Sequence, residues 1–443
     1  MRFRAGQHPL YLHFMIELEV PREKAILVGA PLKRFSGQEA EEHLEELARL
    51  ADTAGAEIVG TILQRLDAPH PKFYIGEGKA DELQAMAQET GATIVIFDEE
   101  LSPAQGRNLE ELLGLRIIDR AELILDIFAT RARTAESKMQ VELAQLQYTL
   151  PRLTRMWVHL SRVRGGIGMR GPGETQLETD RRMIGQKIAK LKDDLERVSR
   201  QRTTQRKGRQ DAFTAALVGY TNAGKSSLLR SLSGTEAFVE DRLFATLDAA
   251  TRTVDLGEGY ECLLTDTVGF IRKLPHHLVP SFRATLEEAQ DADLLLHVID
   301  ISHSGWESQK EVVEDVLDDL SLAAHPTVLV FNKIDRLTHE EEASWRARIE
   351  SEYPEQPVFV STLELEGVEP LRELLRERIR SANPAVWISL PPSGGGLLAE
   401  LYREAEVIAV EDEEGRMVVN ARVPAATLGR LRQQQGVEVR DVR

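Results

Sequence analysis

The sequence predicts a multidomain α/β protein: an N-terminal α/β layer, a coiled-coil hairpin, a P-loop GTPase domain and a C-terminal ferredoxin-like α+β module. Three observations predict this. A complete G-x-x-x-x-G-K-[ST] phosphate loop, Gly219-Tyr220-Thr221-Asn222-Ala223-Gly224-Lys225-Ser226, lies between the apolar run Phe213–Val218 and the helically spaced Ser227–Leu232. Two heptad-spaced apolar seams flank a glycine-rich link. Finally, 443 residues exceed one ordinary core, so roughly two to four domains are expected.

Residues 1–130 form the expected N-terminal α/β domain. Strand-like and helix-like stretches alternate there: Ala25–Val28 and Glu39–Asp52, Glu57–Leu63 and Lys79–Thr90, Thr93–Phe97 and Ser102–Leu113, Arg116–Ile118 and Ala121–Thr130. Such an order implies a mostly parallel sheet. Tyr74-Ile75-Gly76-Glu77-Gly78-Lys79 places glycines before a helix but lacks phosphate-loop spacing, and reads as a turn with a helix start.

Residues 131–209 follow another pattern. Met139, Leu143, Leu146, Leu150, Leu153, Trp157 and Leu160 recur at steps of four and three, as do Leu177, Ile184, Ile188, Leu191, Leu195 and Val198 in a second run. They predict an antiparallel helical hairpin, kinked at Pro151. An arm of about 25 residues would reach about 38 Å from the body. Its tip, residues 164–176, carries Arg164, Gly165, Gly166, Ile167, Gly168, Met169 and Arg170. The glycines allow close backbone approach to another surface, and the arginines supply charge for phosphate.

Charge is distributed unevenly. The whole chain has a net charge of −17, which argues against generic nucleic-acid binding. Between Arg131 and Arg209, however, 19 Lys and Arg stand against 8 Asp and Glu, a local +11, leaving −28 elsewhere. One segment is thus aimed at a polyanion. No apolar run reaches the roughly 18 residues of a membrane span, and His13 and Glu17 interrupt any signal-peptide core, so a cytoplasmic protein without stable membrane insertion is expected. The single cysteine, Cys262, excludes an internal disulfide and reads as a buried strand residue.

Residues 210–383 read as the nucleotide-binding domain. Backbone N–H groups of Gly219 to Ser227 would form an anion site at a helix N-terminus, with Lys225 on the β and γ phosphates and Ser226 on Mg2+. Asp266-Thr267-Val268-Gly269 ends a strand: the carboxylate would hold the metal through water and the Gly269 N–H would reach the γ phosphate. Phe244-Ala245-Thr246-Leu247-Asp248 lies where a switch would bring Thr246 to the same metal. Lys225, Thr246, Asp266 and Gly269 are therefore the candidate catalytic groups. Asn332-Lys333-Ile334-Asp335 reads the base, because the Asp335 carboxylate accepts two hydrogen bonds that guanine offers and adenine lacks. Val360-Ser361-Thr362 would offer backbone N–H groups to the guanine carbonyl. GTP and GDP are the expected ligands.

Where many GTPases place a water-orienting glutamine, this chain has Phe270. Hydrolysis is expected to be slow until a partner supplies the missing group. His276 and His277 lie nearby, although loop histidines are more often merely solvated. From 384 to 443 the stretches Val386–Leu390, Gly396–Tyr402, Glu406–Val410, Met417–Val423, Ala425–Gln433 and Val437–Val439 alternate in the ferredoxin-like βαββαβ order.

With these residues in view, the chain resembles the HflX family of ribosome-associated GTPases over nearly its whole length. The resemblance rests on Gly165 through Arg182, Gly219 to Ser226, Phe244 to Asp248, Asp266 to Phe270, Tyr74 to Lys79 and Leu101 to Gln105. It implies a monomeric factor that binds the large ribosomal subunit and its rRNA, with the hairpin tip near the peptidyl-transferase centre and Arg181 and Arg182 behind it, and GTP-linked splitting of stalled ribosomes. Ala249-Ala250 and Thr362 depart from the family pattern of Pro-Thr and Ala. An alternative within the same chemistry is an assembly or anti-association factor for which hydrolysis is incidental.

Overall fold

The computed structural model describes residues 22–153, 172–206, 212–234, 243–274, 288–353, 356–364, 366–383, 385–391, 394–413 and 416–441. The chain divides into two compact units, Met1–Asp119 and Arg120–Arg443.

In the first unit, β1 (Lys24–Gly29), β2 (Glu57–Leu63), β3 (Ile94–Phe97) and β4 (Arg116–Asp119) form a parallel sheet in the order β2-β1-β3-β4. The central strands β1 and β3 are apolar on both faces, as parallel strands covered by helices must be. Three helices connect the strands: α1 (Gly37–Thr53), α2 (Glu77–Thr90) and α3 (Pro103–Leu113). Ser36 with Glu39, and Ser102 with Gln105, form reciprocal capping boxes that fix where α1 and α3 begin.

The second unit opens with α4 (Arg120–Arg131), α5 (Ala135–Thr149) and the long α6 (Pro172–Arg206). By its contacts α4, which the sequence places after the last strand of the N-terminal layer, groups with the second unit and packs against α5. At Pro151 the regular helix α5 gives way to a 3-10 turn, Leu150–Arg152, and Leu153 is helical again, because proline removes the N–H that an uninterrupted helix would need. Likewise Pro172 already opens α6, a position where the missing N–H costs nothing, so residues 172–176 belong to a helix and not to the glycine-rich link. The α6 seam turns Ile184, Ile188, Leu191, Leu195 and Val198 at least partly inward. Lys187 and Glu142 form an ion pair between α6 and α5.

The nucleotide domain is a six-stranded sheet, β10-β9-β8-β5-β7-β6. Its strands are β5 (Thr214–Gly219), β6 (Ala250–Gly257), β7 (Tyr260–Asp266), β8 (Leu294–Asp300), β9 (Thr327–Asn332) and β10 (Val358–Val360). All neighbours are parallel except β6, which is antiparallel to β7. Helices α7 (Lys225–Ser233), α8 (Trp306–Asp319), α9 (His339–Glu352) and α10 (Glu369–Ala382) complete it. One face buries Leu217, Leu228, Leu264, Leu296, Val330 and Leu375, the other Trp306, Phe331, Ile349 and Phe359. Cys262 is buried in the first of these clusters.

The last module, β11 (Ala385–Leu390), α11 (Gly395–Glu404), β12 (Glu406–Glu413), β13 (Arg416–Arg422), α12 (Ala425–Arg432) and β14 (Glu438–Asp441), is an antiparallel sheet ordered β12-β13-β11-β14. That is the ferredoxin-like topology expected. Tyr260, at the start of β7, donates to the Glu406 carboxylate, and Arg422 also faces that carboxylate, at 3.5 Å.

Candidate nucleotide site

The strand β5 ends at Gly219 and α7 begins at Lys225, so the phosphate loop crosses the carboxyl edge of the sheet. Gly224 is left-handed, with φ 99°, and a Cβ there would stand 2.1 Å from Asn332 Nδ2. Only glycine lets the base-reading strand approach that closely. Asn332 uses the space: its Nδ2 donates to Ala223 O at 2.9 Å. Lys333 Nζ donates to Asn222 O at 2.8 Å and pairs with Asp300 at 2.6 Å. Asp335 accepts from Ser361 Oγ at 2.6 Å, and that oxygen accepts from Leu363 N at 3.1 Å. Three segments far apart in sequence are thereby tied around one loop.

Lys225 is buried and its Nζ donates to Gly219 O at 3.0 Å and Tyr220 O at 2.8 Å. Burial, opposed by the Asp266 carboxylate, pulls its pKa down to about 8. A buried ammonium whose protein acceptors are carbonyls lacks full compensation, which an anion above the loop would provide. Ser226 Oγ lies 2.7 Å from Thr246 Oγ1 and donates to Asp266 Oδ2 at 2.6 Å. The other Asp266 oxygen, Oδ1, is buried and has no hydrogen-bond partner among the described residues. Burial raises the Asp266 pKa, against the pull of Lys225. Two hydroxyls and a carboxylate converge here, the hard oxygen donors that suit Mg2+, so these residues fit that ion.

Gly269 is where Asp266-Thr267-Val268-Gly269 meets the loop: a Cβ on it would stand 2.7 Å from Thr221 Cα and 3.1 Å from Lys225 Nζ. Thr267 anchors that segment by donating to Leu217 O at 2.6 Å. Phe270 is buried, and its backbone pairs with the loop: Thr221 N donates to Phe270 O at 2.7 Å and Phe270 N to Gly219 O at 3.1 Å. Its ring offers no donor for water. These segments surround an open cleft lined by Thr221, Asn222, Gly224 to Ser227, Phe244 to Thr246, Thr267 and Gly269.

Of the remaining sequence-predicted residues, Tyr220, Ala223, Leu247, Val268, Ile334 and Val360 are buried beneath or beside the cleft. Asp248 points its hydrogen bonds at Arg133 and Thr134. Thr362 is half-buried beyond Ser361. Arg181 and Arg182 are exposed on α6, while Arg164 to Arg170, His276 and His277 lie outside the described residues. Sequence reasoning missed Asp300, although a carboxylate ending a buried strand run beside the base-reading motif was a signal that could have found it. It also missed Thr134, for which no signal existed.

Family models match in three places: "GTP-binding GTPase N-terminal" over residues 41–129, "GTP-binding GTPase Middle Region" over 131–209 and "50S ribosome-binding GTPase" over 214–333. Among curated relatives, the GTPase HflX of Magnetococcus marinus is 45% identical over 432 residues, covering 96% of this chain and 99% of that one. The GTPase HflX of Escherichia coli is 44% identical over 419 residues, covering 93% and 96%. A solved GTP-binding protein of Sulfolobus solfataricus in complex with GDP is 25% identical, covering 80% of this chain and 98% of that one at a TM-score of 0.43. Fold and comparisons together define a P-loop GTPase, a GTP hydrolase. The chain belongs to the HflX family of GTPases.

Proposed function

We propose that this chain binds the large ribosomal subunit through its basic hairpin and couples GTP binding and hydrolysis to splitting of stalled ribosomes. The reading is supported by the pairing of the Asn332 and Asp335 contacts around the phosphate loop with a local charge of +11 between Arg131 and Arg209 in an otherwise acidic chain. The match of residues 214–333 to a model described as a 50S ribosome-binding GTPase supports the choice of subunit.

In this reading residues 1–130, 131–209, 210–383 and 384–443 act as four functional parts. Lys225 and the loop N–H groups hold the phosphates, Asp335 and Ser361 select guanine, and Ser226 and Thr246 would hold Mg2+, with Asp266 behind them. The ion, when bound, supplies charge stabilisation for the transferring phosphoryl group. Phe270 leaves the attacking water without a side-chain partner at its position, so hydrolysis waits for the ribosome. The hairpin residues Arg164 to Arg170, with Arg181 and Arg182, would meet rRNA. Among the described residues no helix is long and apolar enough to cross a membrane. The reading makes the protein a cytoplasmic factor that acts as a monomer off the ribosome.

Sedimentation tests the proposal. Intact ribosomes incubated with the protein and GTP are expected to separate into subunits, and replacing Gly165 through Gly173 with a polar linker of equal length should preserve binding and abolish separation. Ribosomes that stay intact with the wild-type protein under every nucleotide would overturn it.

A further inference from the structure

Segment 243–248 makes a second set of contacts that its place at the cleft does not require. Phe244 has φ 54°, the left-handed region that a bulky side chain enters only when its surroundings hold it there. Its ring is buried and meets Phe128 of α4 edge-on, centroids 4.7 Å apart at 75°, and its N–H donates to Thr221 Oγ1 at 3.0 Å. Four residues on, the Asp248 carboxylate accepts from Thr134 Oγ1 at 2.6 Å, Arg133 N at 3.1 Å and Thr134 N at 3.4 Å. Thr134 is the N-cap of α5, its oxygen accepting from Ser137 N at 3.1 Å. The carboxylate therefore sits at the start of the hairpin's first helix, the end whose dipole favours negative charge. Burial works to raise its pKa, but the hydrogen bonds outweigh burial and hold it below the usual carboxylate range.

Between these two anchors stands Thr246, at 2.7 Å from Ser226. We propose that Thr134 and Asp248 are positioning residues that link Thr246, and through it the nucleotide state, to the orientation of α5 and the hairpin it begins. The inference deepens the reading of Thr246 as the switch threonine and rests on it. With Phe244 and Asp248 held two residues to either side, Thr246 cannot shift far unless the anchors break or α5 moves with it. Hydrogen bonds weaken steeply when bent or stretched, so the intact latch transmits the shift. Linkage makes the effect reciprocal: a hairpin held by a partner biases where Thr246 stands.

Spin labels on Met183→Cys of α6 and Glu340→Cys of α9, both exposed, report the hairpin against the nucleotide domain in the full chain, and buried Cys262 stays unlabelled. The wild type is expected to give different distance distributions with GDP and with a non-hydrolysable GTP analogue. Thr134→Val should erase the difference and change the ratio of the two nucleotide affinities by at least about fivefold, the lower end of usual couplings. Thr134→Ser should restore both, and Asp248→Asn added to Thr134→Val should do no further harm. Identical distributions for both nucleotides in the wild type, full switching in Thr134→Val, or failure of Thr134→Ser to restore it would each overturn the latch. Thr246→Ala separates the two ideas: if it still switches while Thr134→Val does not, the reading of Thr246 has failed and the link through it with it, although the Asp248 contact with Thr134 still sets the orientation of α5; if neither variant switches, both stand.

Discussion

The nucleotide cleft and the hairpin solve opposite problems with the same polar residue types. In the cleft, Lys225, Asp266, Asn332 and Ser361 are all buried, and protein atoms already hold most of their polar groups in place. On α6, most of the charged side chains are exposed, and ion pairs such as Arg200 with Glu196 are local and solvent-screened. The first arrangement is organised before its ligand arrives, which costs stability and confers specificity. The second becomes useful only against a polyanion, where released counterions supply the driving force.

The largest expected effect lies in the cleft. Lys225→Met should weaken GTP binding at least about thirtyfold, since removing one partner of a desolvated charge pair costs roughly 2–5 kcal/mol. The same change should stabilise the nucleotide-free protein. With the Lys225 pKa lowered to about 8 from the usual 10.5, the folded state holds fewer protons than the unfolded one between those values. Wild-type stability therefore rises as pH climbs through that window, and below it the cost of the buried charge, of order 3 kcal/mol, is fully present. Lys225→Met should flatten that rise; calorimetry from pH 7 to 10 without nucleotide checks it.

Asp335→Asn comes next. Because Ser361 Oγ already donates to Asp335 Oδ1, the substituted amide keeps its oxygen on Ser361 and turns its NH2 to the base. GTP binding should fall by about a hundredfold or more, with xanthosine triphosphate gaining. Competition titration decides it, and an unchanged preference for GTP would remove Asp335 from base selection.

On the hairpin the effects are smaller and depend on salt. Replacing Arg181, Arg182 and Lys190 with Ala should weaken ribosome binding and lower the salt slope by about 0.7–0.9 for each phosphate no longer neutralised. Lys187→Ala should do less, because Glu142 already pairs with that ammonium. Smallest of all, Cys262, buried and with its pKa pushed up to about 12, should stay unreactive to thiol reagents until the domain unfolds.

What could be read from the sequence obeys the same contrast. The phosphate loop and the Asn332 to Asp335 run were legible because each packs its chemistry into a few consecutive residues whose spacing the ligand dictates. The ferredoxin-like module was legible from the alternation of its stretches. The start of α6 at Pro172, inside the stretch 164–176 read as the tip, was not legible, since a proline can bend, end or begin a helix and tertiary context selects which. The Asp248 to Thr134 hydrogen bond joins positions 114 residues apart, and nothing in either neighbourhood indicates the other. Phe270 stood out as a missing glutamine; that its backbone braces the phosphate loop emerged only with the fold.

The most direct test of a site assembled for GTP yet waiting for a polyanionic partner is steady-state GTP turnover of the full chain with and without purified large ribosomal subunits. Slow turnover alone, accelerated on adding subunits and slow again with Arg181, Arg182 and Lys190 replaced, is the expected result. A free protein already as fast as the subunit-bound one would contradict it.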